Sequence, residues 1–417
     1  MKIRFLSILS LSIVVSWSVL AQPTPQSLAD AELPSLLTIY KDFHTHPELS
    51  AHEERSAAIV AKELKAAGCD VTERVGKYDK PGPTCFGVVG VMKNGVGPTV
   101  LVRSDLDALP VHEETGLPYA STVTTKNDEG KDVPVMHACG HDVHMSTLIG
   151  TARALEKLKD KWHGTIIFIG QPAEETVGGA KAMLKDGLYT RWPKPDYALA
   201  LHDDAEIETS KIGITEGYAF ANVDSVDVIV HGIGGHGAYP HKTKDPIVLS
   251  AEIINAWQTI TSREKNPIDP AVITVGSIHG GTKHNIIPDE VKMQLTVRTY
   301  KKEVREKVLA AIARIAKDCA TAFGLPPDKL PEVHVLQDEF SPATYNNPEL
   351  TKRVTAALKA ALGNDYVVPK DPSMGAEEKT GVSLPSLHSS KFAPVPEPTI
   401  RTGTIGMTTA VLELMKR

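Results

Sequence analysis

Cysteine is scarce in this chain: only Cys69, Cys85, Cys139 and Cys319 occur in 417 residues, which excludes a fold built on a disulfide framework. A large excess of charge of one sign is missing too. The 45 Lys and Arg against 51 Asp and Glu leave a formal net charge of -6, the balance of a soluble globular protein and not of a general nucleic-acid binder. No internal repeat is present, and no low-complexity stretch beyond the prolines just after Gln22, so neither a fibre nor a disordered chain is indicated. Long apolar runs are absent with one exception. Lys2 and Arg4 precede an uncharged apolar run from Phe5 to about Leu20, closed by Val19-Leu20-Ala21 and then Gln22. That is the layout of a cleavable secretory signal, with cleavage expected after Ala21, and the run is short for a membrane anchor. The mature chain is therefore expected to be exported, periplasmic or secreted, with no membrane association after cleavage. In an oxidising compartment Cys69 and Cys85 either pair or remain two small apolar residues.

What is present is enough chain for at least two domains. Apolar residues recur at helical spacing from about Leu33 to Ala67, interrupted at His44-Thr45-His46-Pro47-Glu48, which predicts two helices with the proline at their junction. Strand-like runs follow at Cys85 to Met92, Thr99 to Arg103, Gly164 to Gly170 and Tyr197 to Leu201, with helices predicted over Asp142 to Leu158 and Ala180 to Asp186. The last three strands run into polar groups: Ser104-Asp105-Leu106-Asp107, Gln171-Pro172-Ala173-Glu174-Glu175 and His202-Asp203-Asp204. Strands alternating with helices argue for an α/β core whose functional groups gather at strand ends. After about Gly217 the pattern changes. Ser225 to Val230, Ala271 to Ile278 and Val291 to Arg298 alternate as half-buried strands around helices at Pro246 to Arg263 and Lys302 to Ala322. This predicts a small inserted α+β domain over residues 218–330, between catalytic segments at 22–217 and 331–417, after a signal at 1–21.

The strongest local signal is His137-Ala138-Cys139-Gly140-His141-Asp142, because a thiol and an imidazole two residues apart at a helix start can reach one metal ion. A Cys–His nucleophile is the rival chemistry, and a buried thiol beside a capping histidine the structural alternative. The adjacent Glu174 and Glu175 favour the metal, since one carboxylate can ligate while its neighbour takes a proton from water. As an isolated feature the pair would read as a solvated acid pair in the first turn of a helix. His202 ends another strand, and His388 in Leu387-His388-Ser389-Ser390 approaches from the returning C-terminal part.

Together these motifs resemble the amidohydrolase family of aminoacylases, hippurate hydrolases and auxin-conjugate hydrolases, within the wider aminoacylase and carboxypeptidase-like metallopeptidase group. The resemblance spans nearly the whole mature chain. It is carried by Asp42 to Ser50, Arg103 to Pro110, Met136 to His141, Gln171 to Glu175, Gly234-Gly235-His236-Gly237-Ala238, Asp245-Pro246 and Asn285 to Asp289. It implies an α/β, phosphorylase/hydrolase-like zinc-peptidase catalytic domain, a mixed sheet flanked by helices, with an inserted α+β, ferredoxin-like lid and dimerisation domain. It further implies two divalent metal ions per subunit (Mn, Zn, Co or Ni) on Cys139, His141, Glu175, His202 and His388, with Glu174 as general base. His236 would help bind the substrate or its oxyanion, often across a homodimer interface; Asn285 and Arg298 are candidates for contacting the substrate carboxylate, the alternatives being a turn-forming Asn and a solvated strand Arg. The expected substrate is a small N-acyl amino acid. The alternatives are a short-peptide carboxypeptidase or dipeptidase, and a non-catalytic protein binding a carboxylated ligand. One departure stands out. After Ser373-Met374-Gly375, the stretch Ala376-Glu377-Glu378-Lys379 runs almost directly into Gly381 to Leu387, where the family has about twenty more residues. Those residues would supply a helix and a strand, so a sheet edge or pocket wall near His388 is expected to be absent or rebuilt.

Overall fold

A computed structural model describes residues 22–79, 82, 84–373 and 385–416. The expected signal at 1–21 and the shortened segment at 374–384 lie outside the described residues. Helix α1 spans Pro25–Thr45 and starts earlier than its apolar periodicity suggested, because Thr24 and Ser27 form a reciprocal cap around Pro25 and Leu28 and Ala29 are already buried. Pro47 prevents its continuation, and α2 (Glu54–Ala66) follows. Strands β1 (Asp70–Val75), β2 (Gly87–Asn94) and β3 (Thr99–Asp105) lead through a long loop to α3 (His141–Lys157). Then come β4 (Gly164–Gln171), α4 (Gly179–Lys185) and β5 (Tyr197–Ala200).

These five strands form one mixed sheet in the order β1-β2-β4-β3-β5. β3 runs parallel to both β4 and β5, whereas β2 is antiparallel to β4 and to β1. The C-terminal ends of the three parallel strands consequently share one edge, and Asp105, Gln171 and the residues after Ala200 all emerge there. Val88, Val100, Val102, Ile166 and Phe168 face a core closed by α1, α3 and the final helix, α8 (Pro396–Met415), which follows α7 (Pro348–Leu362). Among the described residues β5 has no partner on its outer side, and Ala198 and Ala200 are exposed.

The inserted domain follows from period-2 alternation. In β6 (Asn222–His231) every second residue is buried, and Val226, Val228 and Val230 pack under α5 (Pro246–Thr259) and α6 (Lys302–Ala322). With β7 (Ala271–Gly280), β8 (Glu290–Thr299) and β9 (Glu332–Val335) the order is β7-β8-β6-β9, every pair antiparallel. This βαββαβ path is the ferredoxin-like arrangement. Two details correct the sequence reading. The sheet takes in Glu332–Val335, past the expected boundary at 330, and the helix expected to reach Arg263 ends at Thr259 and widens into a π-helical turn over Ile260–Glu264. All four cysteines are free, so Cys69 and Cys85 take the unpaired alternative, both buried.

Candidate metal and catalytic site

The expected ligands arrive from four separate places and meet beyond the C-terminal ends of the parallel strands. Gly140, at φ 72°, caps α3 and turns the chain so that Cys139 and His141 face the same space. A Cβ at this position would lie 2.0 Å from Asp203 Oδ2, so the turn requires glycine. His202 follows β5 and places Nε2 3.5 Å from Cys139 Sγ. Beyond β4, Glu175 lies 3.7 Å from His141 Nε2 and Glu174 lies 3.9 Å from it. His388 reaches Glu175 at 3.6 Å. It does so because its own N–H donates to Ala138 O at 2.8 Å and the neighbouring Phe392 packs on Met136 and Ala138. Its φ of 66° is an unfavourable backbone conformation for a histidine, sustained by those contacts.

The two glutamates differ in exposure. The Glu175 side chain is 10 % exposed, with His141 and His388 at 3.7 and 3.6 Å, while that of Glu174 is 40 % exposed at the rim. Burial pushes Glu175 up to about 7, against the pull of His141. The Cys139 thiol is likewise pushed up by burial, to about 12. A thiol so hard to ionise argues against the Cys–His nucleophile, whereas coordination to a metal deprotonates it outright.

Behind the cluster is a layer of acids. Asp107 O accepts from His141 Nδ1 at 2.7 Å, which directs Nε2 into the site. His202 is oriented in the same way, Nδ1 donating to Asp203 O at 2.7 Å. His144, one helical turn after His141 and 2 % exposed, bridges Asp105 at 2.6 Å and Asp203 at 3.1 Å. Burial opposes its ionisation, yet the two acids hold it up at about 9. Burial also opposes the Asp105 charge, but His141, His144 and Arg103 keep that carboxyl well below the usual range. Asp105, Asp107, His144 and Asp203 were not singled out as site residues from sequence. The available signal was the pair of acids ending β3.

The lid candidates lie elsewhere. His236 and Ile286 pair in a short ladder, Gly237 N donates to Asn285 O at 2.9 Å, and both His236 and Asn285 are exposed. Arg298 is half-buried on β8, its Nε donating to Thr296 Oγ1 at 3.2 Å. Among the described residues, no hydrogen bond or ion pair joins any of the three to the cluster.

The donor set fits divalent ions. Cys139, His141 and His202 form one group able to hold a cation and Cys139, Glu175 and His388 a second, with ligand atoms within 4.8 Å in each. His141 Nε2 and Glu175 Oε1 are buried without a hydrogen-bond partner, the condition of atoms made to face a cation. Thiolate, imidazole and carboxylate together suit a first-row divalent metal.

The sequence profile described as Peptidase family M20/M25/M40 matches residues 101–382. The chain belongs to this family. A thermostable carboxypeptidase of Saccharolobus solfataricus is 37 % identical over 393 residues, covering 89 % of this chain and 93 % of its own. The hippurate hydrolase of Campylobacter jejuni is 35 % identical over 339 residues, 79 % of this chain and 82 % of its own. Among solved structures, a Bacillus subtilis dinuclear metal-binding peptidase of the M20 family superposes with a TM-score of 0.72 at 27 % identity, covering 93 % of this chain and 100 % of that one. These likenesses agree with the resemblance seen in the motifs and with the α/β catalytic domain carrying an inserted lid.

Proposed function

We propose that this protein hydrolyses the amide bond of small N-acyl amino acids, with Glu174 as general base and Cys139, His141, Glu175, His202 and His388 holding two divalent ions. The observation that carries the reading is the split between neighbouring glutamates: the Glu175 side chain is 10 % exposed with Oε1 unpartnered and facing the cluster, and the Glu174 side chain is 40 % exposed beside it. Bound Mn, Zn, Co or Ni would polarise the amide carbonyl and make water a nucleophile near neutral pH. Glu174 then takes the proton from the attacking water and returns it to the leaving amine. His236 supplies a donor to the oxyanion, and Asn285 and Arg298 hold the substrate carboxylate, once the lid of a second subunit in a homodimer is brought over the site. The protein works outside the cytoplasm, after removal of residues 1–21.

Short-peptide carboxypeptidase activity is the second reading, supported by the likeness to a thermostable carboxypeptidase. The retained Glu174 speaks against a purely binding role. A panel of N-acetyl and N-benzoyl amino acids and dipeptides, assayed on the chain from Gln22 with manganese, with chelator and with Glu174→Ala, tests the proposal. Metal-restored hydrolysis of the acyl amino acids that Glu174→Ala abolishes is the expected result. Faster cleavage of dipeptides with free amines would move the assignment to a peptidase, and no turnover by folded, metal-binding protein would leave the binding role.

A further inference from the structure

Three consecutive backbone amides in the turn that carries the paired glutamates end on buried carboxylates. Asp107, 1 % exposed, accepts from Glu174 N at 3.1 Å and Glu175 N at 3.0 Å, and from Ser50 Oγ at 2.6 Å. The preceding amide, Ala173 N, donates at 2.8 Å to Oε1 of Glu53, a side chain with no solvent exposure that takes no part in the chemistry described above. The same Oε1 accepts from Ala51 N at 2.7 Å. Both of its amide partners are non-glycine residues in the left-handed region, Ala51 at φ 64° and Ala173 at φ 46°. Such residues persist only where surrounding contacts over-determine them, and they gather where a side chain must be aimed. One carboxyl oxygen therefore fastens the turn that holds Ser50 to the turn that holds Glu174 and Glu175.

We propose that Glu53 is a positioning residue for the reaction: by binding the Ala51 and Ala173 amides through Oε1, it fixes the two turns that aim Glu174 and Glu175 into the site. The inference rests on the reading of Glu174 as general base. Burial, with the negative charge of Asp107 beside it, pushes Glu53 up to about 8. A glutamine at this position offers the same acceptor. An aspartate is one methylene too short to span both turns, and a methionine offers no oxygen.

The experiment compares wild type with Glu53→Gln, Glu53→Asp and Glu53→Met by two readouts, steady-state kinetics on an N-acyl amino acid and amide hydrogen exchange without substrate. Misplacing a catalytic group by about 1 Å lowers turnover about a hundredfold. Glu53→Asp and Glu53→Met should lose about that much kcat with KM nearly unchanged, and should exchange faster in segments 49–53 and 171–180 only. Glu53→Gln should restore both. The proposal is overturned if Glu53→Asp keeps wild-type kcat and protection, or if Glu53→Gln fails as badly as the others. Global unfolding of Glu53→Met leaves the comparison of Glu53→Asp with Glu53→Gln to decide. Were wild type itself inactive while Glu53→Asp alone loosened both segments, the amidohydrolase reading would fail and the clamp would stand.

Discussion

His44 illustrates what a single side chain contributes away from the reacting atoms. It is 1 % exposed, with Nδ1 at 2.7 Å from Asp142 and Nε2 at 3.1 Å from Glu113, tying the end of α1 to the start of α3 and to the loop after β3. Burial alone would depress its pKa, but the two carboxylates outweigh it and hold the imidazole up at about 10, from 6.5. The folded state thus binds a proton that the unfolded chain releases between those values. Its stabilisation is fully present below about pH 6.5 and is lost as pH rises through about 10. Urea denaturation between pH 6 and 10 should show stability falling by a few kcal/mol over that interval, and His44→Gln should be less stable at pH 6 with a shallower decline. An unchanged slope in the variant would assign the proton to another group. Gly140 makes a second case. Gly140→Ala would force a Cβ against Asp203, whose backbone oxygen orients His202. Calorimetric titration with manganese or zinc should show affinity reduced about 10- to 100-fold, the effect typical of disturbing a group behind a ligand. Cys139, His141 and the Glu174-Glu175 pair stand out in the sequence because their chemistry is local to short motifs, whereas His388 joined the candidates through the family resemblance. Glu53 does not stand out, because what it binds is a backbone amide 120 residues away, and nothing in the sequence marks an amide.

At the scale of elements, legibility followed periodicity. Strands such as β4, buried on nearly every residue, and β6, buried on every second one, announce themselves, and α6 runs from Lys302 to Ala322 as its apolar spacing predicts. Elements with weak patterns did not. The first turns of α1 are set by a cap rather than by an apolar face, and the four-residue β9 is too short to show a period. β9 nonetheless decides where the inserted sheet closes, since it covers the outer side of β6. The inserted domain has its own core around Trp257, which is fully buried with Nε1 donating to Ile312 O at 3.0 Å. Trp257→Ala should cost about 3–5 kcal/mol in denaturant unfolding of the inserted domain. Because no cluster residue lies in that core, divalent-metal binding at the catalytic edge should stay within about twofold of wild type. A parallel loss of metal affinity would mean that the two cores unfold as one.

For the whole molecule, the decisive fact is that, among the described residues, no hydrogen bond or ion pair joins the proposed lid residues to the proposed metal cluster. Glu174 and the ligand candidates meet at the catalytic sheet edge, while His236 and Asn285 stand exposed on the inserted domain. If these belong to one reaction, the contact is made either by closure of the lid within one chain or by a second copy, and in the second case the homodimer proposed above becomes a catalytic requirement. Complementation tests this directly. Glu174→Ala and His236→Ala should each be nearly inactive as pure dimers. Mixing equal amounts under conditions that allow subunit exchange gives half heterodimers. In each heterodimer one site combines an intact Glu174 with the other subunit's intact His236, and the second site combines both lesions. Activity should therefore return to about one quarter of wild type, one working site in every four, with the logic of a shared isologous interface. Recovery requires the two residues to act from different subunits. Two dead variants that stay dead after verified exchange would place His236 over its own chain's Glu174, by closure of the lid within one subunit.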